Sequence, residues 1–217
     1  LFDIEDTNNV YETSVDANDL YNYLGIAGGD TSSLISSVMV QKQDSGTGVK
    51  VKIITQSNIT KITSNQYANA AITAGVSDVE IDVASVSKVT GESALTGVYK
   101  ALEANGETLD PDRTQVAQDE LETTNEIAQN NADDSNFDSA RLDQALVEIK
   151  QELAQIKQNQ GSAATTEQVE QVVQDALKKF NLSDIISQDD IDKLIAFAKK
   201  YQNTSAIDSQ EVLNQLN

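Results

Sequence analysis

The sequence predicts an α+β protein: a small mixed β-sheet with helices on one face, followed by an all-α helical domain. Two stretches, Val49-Lys50-Val51-Lys52-Ile53 and Val79-Glu80-Ile81-Asp82-Val83, alternate apolar and polar residues with the period of a strand that buries one face. Between them lies an alanine-rich segment with helical spacing and a capping pair at its start. Beyond Asp110 no strand signal remains, and apolar residues recur only at three- and four-residue intervals. The predicted domains are residues 1–107, α+β, and residues 108–217, helical. The boundary falls between Gly106 and Pro111, the one proline of the chain.

In chain order, Asp16-Ala17-Asn18-Asp19 followed by Leu20, Tyr23 and Leu24 predicts a capped short helix stopped at Gly25. Leu34 to Val40 is apolar and β-branched enough for a strand. Asp44-Ser45-Gly46-Thr47-Gly48 is turn chemistry, so residues 34–40 and 49–53 are expected to form a hairpin. Thr63 and Gln66 cap the next helix, Tyr67, Ala70, Ala71 and Ala74 form its inner side, and Gly75 ends it. The strands at 49 and 79 then pair in parallel through a right-handed crossover. A last helix of this half runs from Gly91 to Asn105, with Leu95, Val98, Tyr99 and Leu102 inward.

In the second half, Asp110-Pro111 places proline at the first position of a helix running to about Gln129. After a polar break at Asn130 to Asn136, Leu142, Leu146, Ile149, Leu153 and Ile156 form a short heptad seam. The expectation is a helical hairpin over 110–159 and a flexible connection over 157–166. Three helices follow within 166–217: one with Val169, Val172, Val173, Ala176 and Phe180 inward, one capped by Ser187 and Asp190, and one from Asp208.

Charge narrows the partners. The formal net charge is −20, with 6 basic and 13 acidic residues in positions 1–105 and 9 and 22 in the rest. Neither half holds a basic surface for phosphate backbones or anionic lipids, so nucleic acid and membrane insertion are not expected, whereas a protein or cell-envelope component is. No apolar run approaches the roughly 18 residues of a membrane-spanning helix. The chain has no cysteine and no histidine, which removes thiolate chemistry, Ser-His-Asp triads and nitrogen or sulfur metal ligands. Its start at Leu1 fits a processed export product and equally a fragment of a longer chain.

The remaining chemistry is sparse. Gly91-Glu92-Ser93-Ala94-Leu95 lacks the second glycine of a nucleophile elbow, and Ser85-Val86-Ser87-Lys88 lacks the Lys-Thr-Gly that accompanies Ser-x-x-Lys enzymes. Asp134, Asn136 and Asp138 have calcium-loop spacing, but Ser139 and Ala145 stand where glycine and the bidentate glutamate belong, so capping of the next helix is the expected role. No metal site, cofactor or catalytic residue is predicted. Thr90, Gly91 and Ser93 are the candidate ligand-binding residues: free backbone N–H groups at a helix start, beside two hydroxyls, suit an anion or carboxylate. Glu92 argues against phosphate there, and the structural alternative is capping of the helix by Thr90.

The stretches Asn65-Gln66-Tyr67-Ala68-Asn69-Ala70-Ala71-Ile72-Thr73-Ala74-Gly75 and Val89-Thr90-Gly91-Glu92-Ser93-Ala94-Leu95-Thr96-Gly97-Val98-Tyr99-Lys100-Ala101 resemble an exported protein family of Gram-positive bacteria, the domain of unknown function one thousand and two. The resemblance covers roughly residues 10–130; the helical half matches in style rather than in motif. It implies a location at the cell surface or in the medium and implies no activity, cofactor or catalytic residue. The expected function is a non-catalytic binding or scaffold module of the cell surface or secreted fraction. The alternatives are an extracellular enzyme using carboxylates and hydroxyls, and a partner-binding module acting through its helices.

Overall fold

The computed structural model describes residues 1–4, 7–25 and 34–216. Contacts divide the chain, within one long helix, into Leu1–Gln118 and Asp119–Asn217. In the first unit, α1 (Ala17–Leu24) starts at a capping box: Asp16 accepts from the Asn18 and Asp19 N–H groups, and Asp19 accepts from the Asp16 N–H. Gly25 ends α1 in the left-handed conformation. Three strands follow in the order β1–β3–β2, with β1 (Ser36–Lys42) antiparallel and β2 (Val49–Ile53) parallel to the central β3 (Val79–Ser85). Helix α2 (Ser64–Ala74) links β2 to β3, and α3 (Ala94–Ala104) follows β3. α2 packs on β2 and α3 on β1, which gives the mixed sheet its helical face.

The expected hairpin between the first two strands does not form. The turn at 44–48 does reverse the chain, and Asp78 fixes it by accepting from the Gly46 and Gly48 N–H groups at 2.9 Å each. It leaves a gap one strand wide, which β3 fills. The reason lies in side chains. Val79, Ile81 and Val83 are each 1% exposed, so β3 belongs at the centre. β3 also sets Glu80 opposite Lys50 and Asp82 opposite Lys52, whereas β1 has no acid to offer those lysines. Lys52 forms an ion pair with Glu80, and charged residues on an edge strand discourage edge-to-edge pairing.

Packing of α3 depends on a close approach. A Cβ at Gly97 would lie 2.9 Å from Val38 Cγ2, so glycine lets the helix settle on β1. α1 is tied to α3 by Lys100 and Asp19 at 2.7 Å and by the Tyr23 hydroxyl donating to Glu103. The remaining helix ends are closed from α4 (Pro111–Asn130). Arg113 donates to the carbonyls of Thr73 and Ile72 at the end of α2, and the Thr114 hydroxyl donates to the carbonyl of Tyr23 at the end of α1.

These contacts predict how fragments behave. A fragment of residues 1–118 is expected to melt cooperatively, and one of residues 1–107 to melt roughly 10 °C lower or without a transition. The shorter piece loses the three hydrogen bonds from Arg113 and Thr114 and the buried Val116 and Ala117. Circular dichroism melts of both decide it, and equal midpoints would show that residues 108–118 add nothing.

The second unit takes in the end of α4 and then α5 (Ser139–Gln160), α6 (Thr166–Lys179), α7 (Gln188–Tyr201) and α8 (Gln210–Gln215). α5 packs chiefly against α6, and α6 against α7. Leu142, Leu146, Ile149 and Leu153 are buried together with Val169, Val173, Leu194 and Phe197, while Ile156 is half-buried. Thr165 with Gln168 forms a capping box, and Ser187 caps α7. α5 continues to Gln160 and ends at Gly161. In the connection after it, Ala164 is held by Gln202, whose side chain accepts from its N–H and donates to its carbonyl. Asp138 N-caps α5 by accepting from the Ala140 N–H.

Candidate functional site

Thr90, Gly91 and Ser93 lie in the loop that carries the chain from β3 into α3. That loop is stitched to residues 58–61: the Thr60 N–H donates to Val89, the Val89 N–H to Asn58 and the Lys61 N–H to Thr90. The helix starts three residues later than expected, at Ala94, and Ser93 stands at its N-cap without a side-chain capping bond. Thr90 therefore does not cap it. The exposed Thr90 hydroxyl donates to Glu92 at 3.2 Å, while the Ser93 hydroxyl lies 3.3 Å from that of Ser36 on β1. The two hydroxyls thus have different partners, and that of Thr90 is a carboxylate.

Gly91 has a different role from its neighbours. It is buried at φ +102°, and its carbonyl accepts from the Tyr67 hydroxyl. An added Cβ would lie 2.5 Å from the Tyr67 oxygen and 2.8 Å from Ile59 Cγ2. Burial, with the Glu92 charge nearby, pushes the Tyr67 phenol up and keeps it a donor. The two sequence stretches that carry the family resemblance therefore meet at Tyr67 and Gly91, in a packing contact.

The second unit holds a charged cluster that sequence reasoning missed. Lys150 on α5 and Glu120 on α4 pair at 2.7 Å with side chains 0% and 1% exposed. Asp143, seven residues before Lys150 on α5, is buried as well, and its Oδ1 has no hydrogen-bond donor. Burial pushes the Asp143 carboxyl up to about 7; the Glu120 charge and that of Asp138 add to the rise, and Lys150 opposes it. The signal was the spacing, because 143, 146, 150 and 153 share one helical stripe with buried leucines at 146 and 153. An open groove on the same unit is lined by Asp119, Glu122 and Glu126 of α4 and Lys193, Phe197 and Lys200 of α7. Its charges pair across it, Lys193 with Glu126 at 2.9 Å and Lys200 with Asp119. Among the described residues no three acidic side chains gather as a metal-binding group.

Fold and site together define an α+β protein with a helical unit whose most buried charges are held in internal contacts. The chain belongs to the family described as protein of unknown function (DUF1002), whose family model matches residues 1–217 and so takes in the helical half as well. It is 34% identical over 182 residues to the uncharacterized protein YpuA of Bacillus subtilis (strain 168), an alignment covering 83% of this chain and 57% of that protein. The chain thus spans little more than half the length of that relative. No solved structure matches it.

Proposed function

We propose that this chain is a non-catalytic binding or scaffold module of the Gram-positive cell surface or secreted fraction. The observation that carries the reading is the groove between α4 and α7, an open surface whose two lysines are already paired with carboxylates rather than an enclosed pocket with free reactive groups. Grooves of this kind suit an extended partner better than a small substrate. The relative in Bacillus subtilis supports the bacterial setting, and the absence of a membrane-length apolar helix among the described residues supports a module that does not insert through one. Asp143, whose carboxyl burial pushes up to about 7, lies inside the helical unit and is badly placed to meet a substrate.

The test is co-sedimentation of the purified protein with Gram-positive cell walls, before and after removal of their anionic polymers, with the supernatant assayed for released wall fragments. The reading expects saturable binding without fragments. It also expects tighter binding to stripped walls, because a charge of −20 is repelled by anionic polymer. Release of fragments would replace it with the enzyme alternative, and no sedimentation with either wall would remove the envelope as partner.

A further inference from the structure

Helix α3 closes on Asn105 and Gly106, and Asn105 is the one asparagine of the chain that is followed by glycine. The Asn105 and Glu107 N–H groups donate to the Leu102 carbonyl at 3.0 and 3.1 Å, and the Gly106 N–H donates to the Glu103 carbonyl at 2.9 Å. Gly106 supplies the left-handed residue that this closure needs, at φ +89°. The Asn105 side chain completes it, with Nδ2 donating to the Ala101 carbonyl at 2.8 Å. Both residues are exposed, and nothing lies within 4 Å of a Cβ added at Gly106.

We propose that Asn105 is a deamidation site whose rate is set by opening of the last turn of α3. The Gly106 nitrogen gives up its proton and attacks Cγ of Asn105. The bond from Cγ to Nδ2 breaks, and Nδ2 takes up a proton and leaves as ammonia. Water then opens the succinimide ring to aspartate or isoaspartate. With no side chain on Gly106, nothing shields the attacking nitrogen. The folded turn opposes the step in three ways. Glu103 holds the Gly106 proton, Ala101 holds the carboxamide, and a ψ of 12° at Asn105 sets the Gly106 nitrogen nearly over the Asn105 nitrogen, whereas ring closure needs it over Cβ. Fraying of the turn releases all three together. Neither product rebuilds the end. Aspartate has no donor for Ala101 and sets a charge at the negative end of the helix, between Glu103 and Glu107 in sequence. Isoaspartate lengthens the main chain by one carbon and shifts the Gly106 and Glu107 N–H groups off their acceptors. Either change loosens the tie of Glu103 to the Tyr23 hydroxyl on α1 and of Glu107 to Lys42 on β1.

The test incubates the full chain beside a synthetic peptide of residues 101–113 at pH 7.5. Trypsin, cutting after Lys100 and Arg113, releases that same peptide from the chain, and Asn105 is its only asparagine. Mass spectrometry then counts the aspartate and isoaspartate formed. The chain is expected to react at residue 105 roughly 10- to 100-fold more slowly than the peptide, as the capping hydrogen bonds must open first. Ala104→Gly, an exposed change in the last turn, should raise the rate in the chain about threefold and leave that of a peptide carrying the same change within twofold. A chain that reacts as fast as the peptide, or a rate in the chain that Ala104→Gly does not move, would overturn control by the helix end. No product in the chain after about a hundred half-lives of the peptide would overturn the site itself.

Discussion

Replacing Lys150 by methionine is expected to destabilise the helical unit by roughly 3–5 kcal/mol at neutral pH, a fall of more than 10 °C in its melting midpoint. The methionine fills much the same space, so the loss comes from charge. Glu120 would remain 1% exposed with the ammonium gone, and Asp143 would lose the one neighbour that favours its ionised form. The penalty should be smaller at pH 5, where Asp143 is protonated in the folded chain and adds no charge to the cluster, and grow as pH rises through 7. Adding Glu120→Leu to Lys150→Met is expected to recover most of the loss, because an apolar pair can replace a buried ion pair where a half-pair cannot stand. Urea titrations at pH 5 and pH 7.5 measure all three proteins. A loss below about 1 kcal/mol for the single variant would mean that water reaches the pair.

Local signals were legible and distant ones were not. The Thr63–Gln66 capping box, Gly75 after α2, Pro111 at the start of α4 and Ser187 before α7 are each built within a few residues of sequence, and each stands where it was expected. Strand order is set differently. A turn at 44–48 is the same turn whether its strands touch or stand one strand apart, and what separates the outcomes is the apolar face of β3 together with the match of Glu80 and Asp82 to Lys50 and Lys52, some thirty residues away. Gly91 and Ser93 were expected in the first turn of the helix, which begins only at Ala94, and the part Gly91 plays is set by Tyr67 and Ile59 from earlier segments. Burial and a neighbouring carboxylate push the Asp143 carboxyl up to about 7 in the helical unit, which composition cannot show.

Gly91→Ala is expected to cost the first unit roughly 3–4 kcal/mol, the largest effect of any single methyl group added there. Two terms add. The backbone at φ +102° lies where an L side chain is strained, worth about 1–2 kcal/mol. The methyl group would also meet the Tyr67 oxygen and Ile59 Cγ2, and neither neighbour has room to yield: Tyr67 is 2% exposed and Ile59 5% exposed. Moving Tyr67 would break its bond to the Gly91 carbonyl, and moving Ile59 would open its bridge to Val89. Gly106→Ala serves as the control, since Gly106 has a similar φ of +89° and nothing within 4 Å of an added Cβ. It should cost only the backbone part, so the difference between the two variants measures the contact. Tyr67→Phe in the Gly91→Ala background should restore some of the loss by removing the oxygen that collides. Equal losses in Gly91→Ala and Gly106→Ala would show that the loop relaxes around a side chain. Residue 91 would then need only its backbone angle, and the meeting of the two family stretches at Tyr67 and Gly91 would need another explanation.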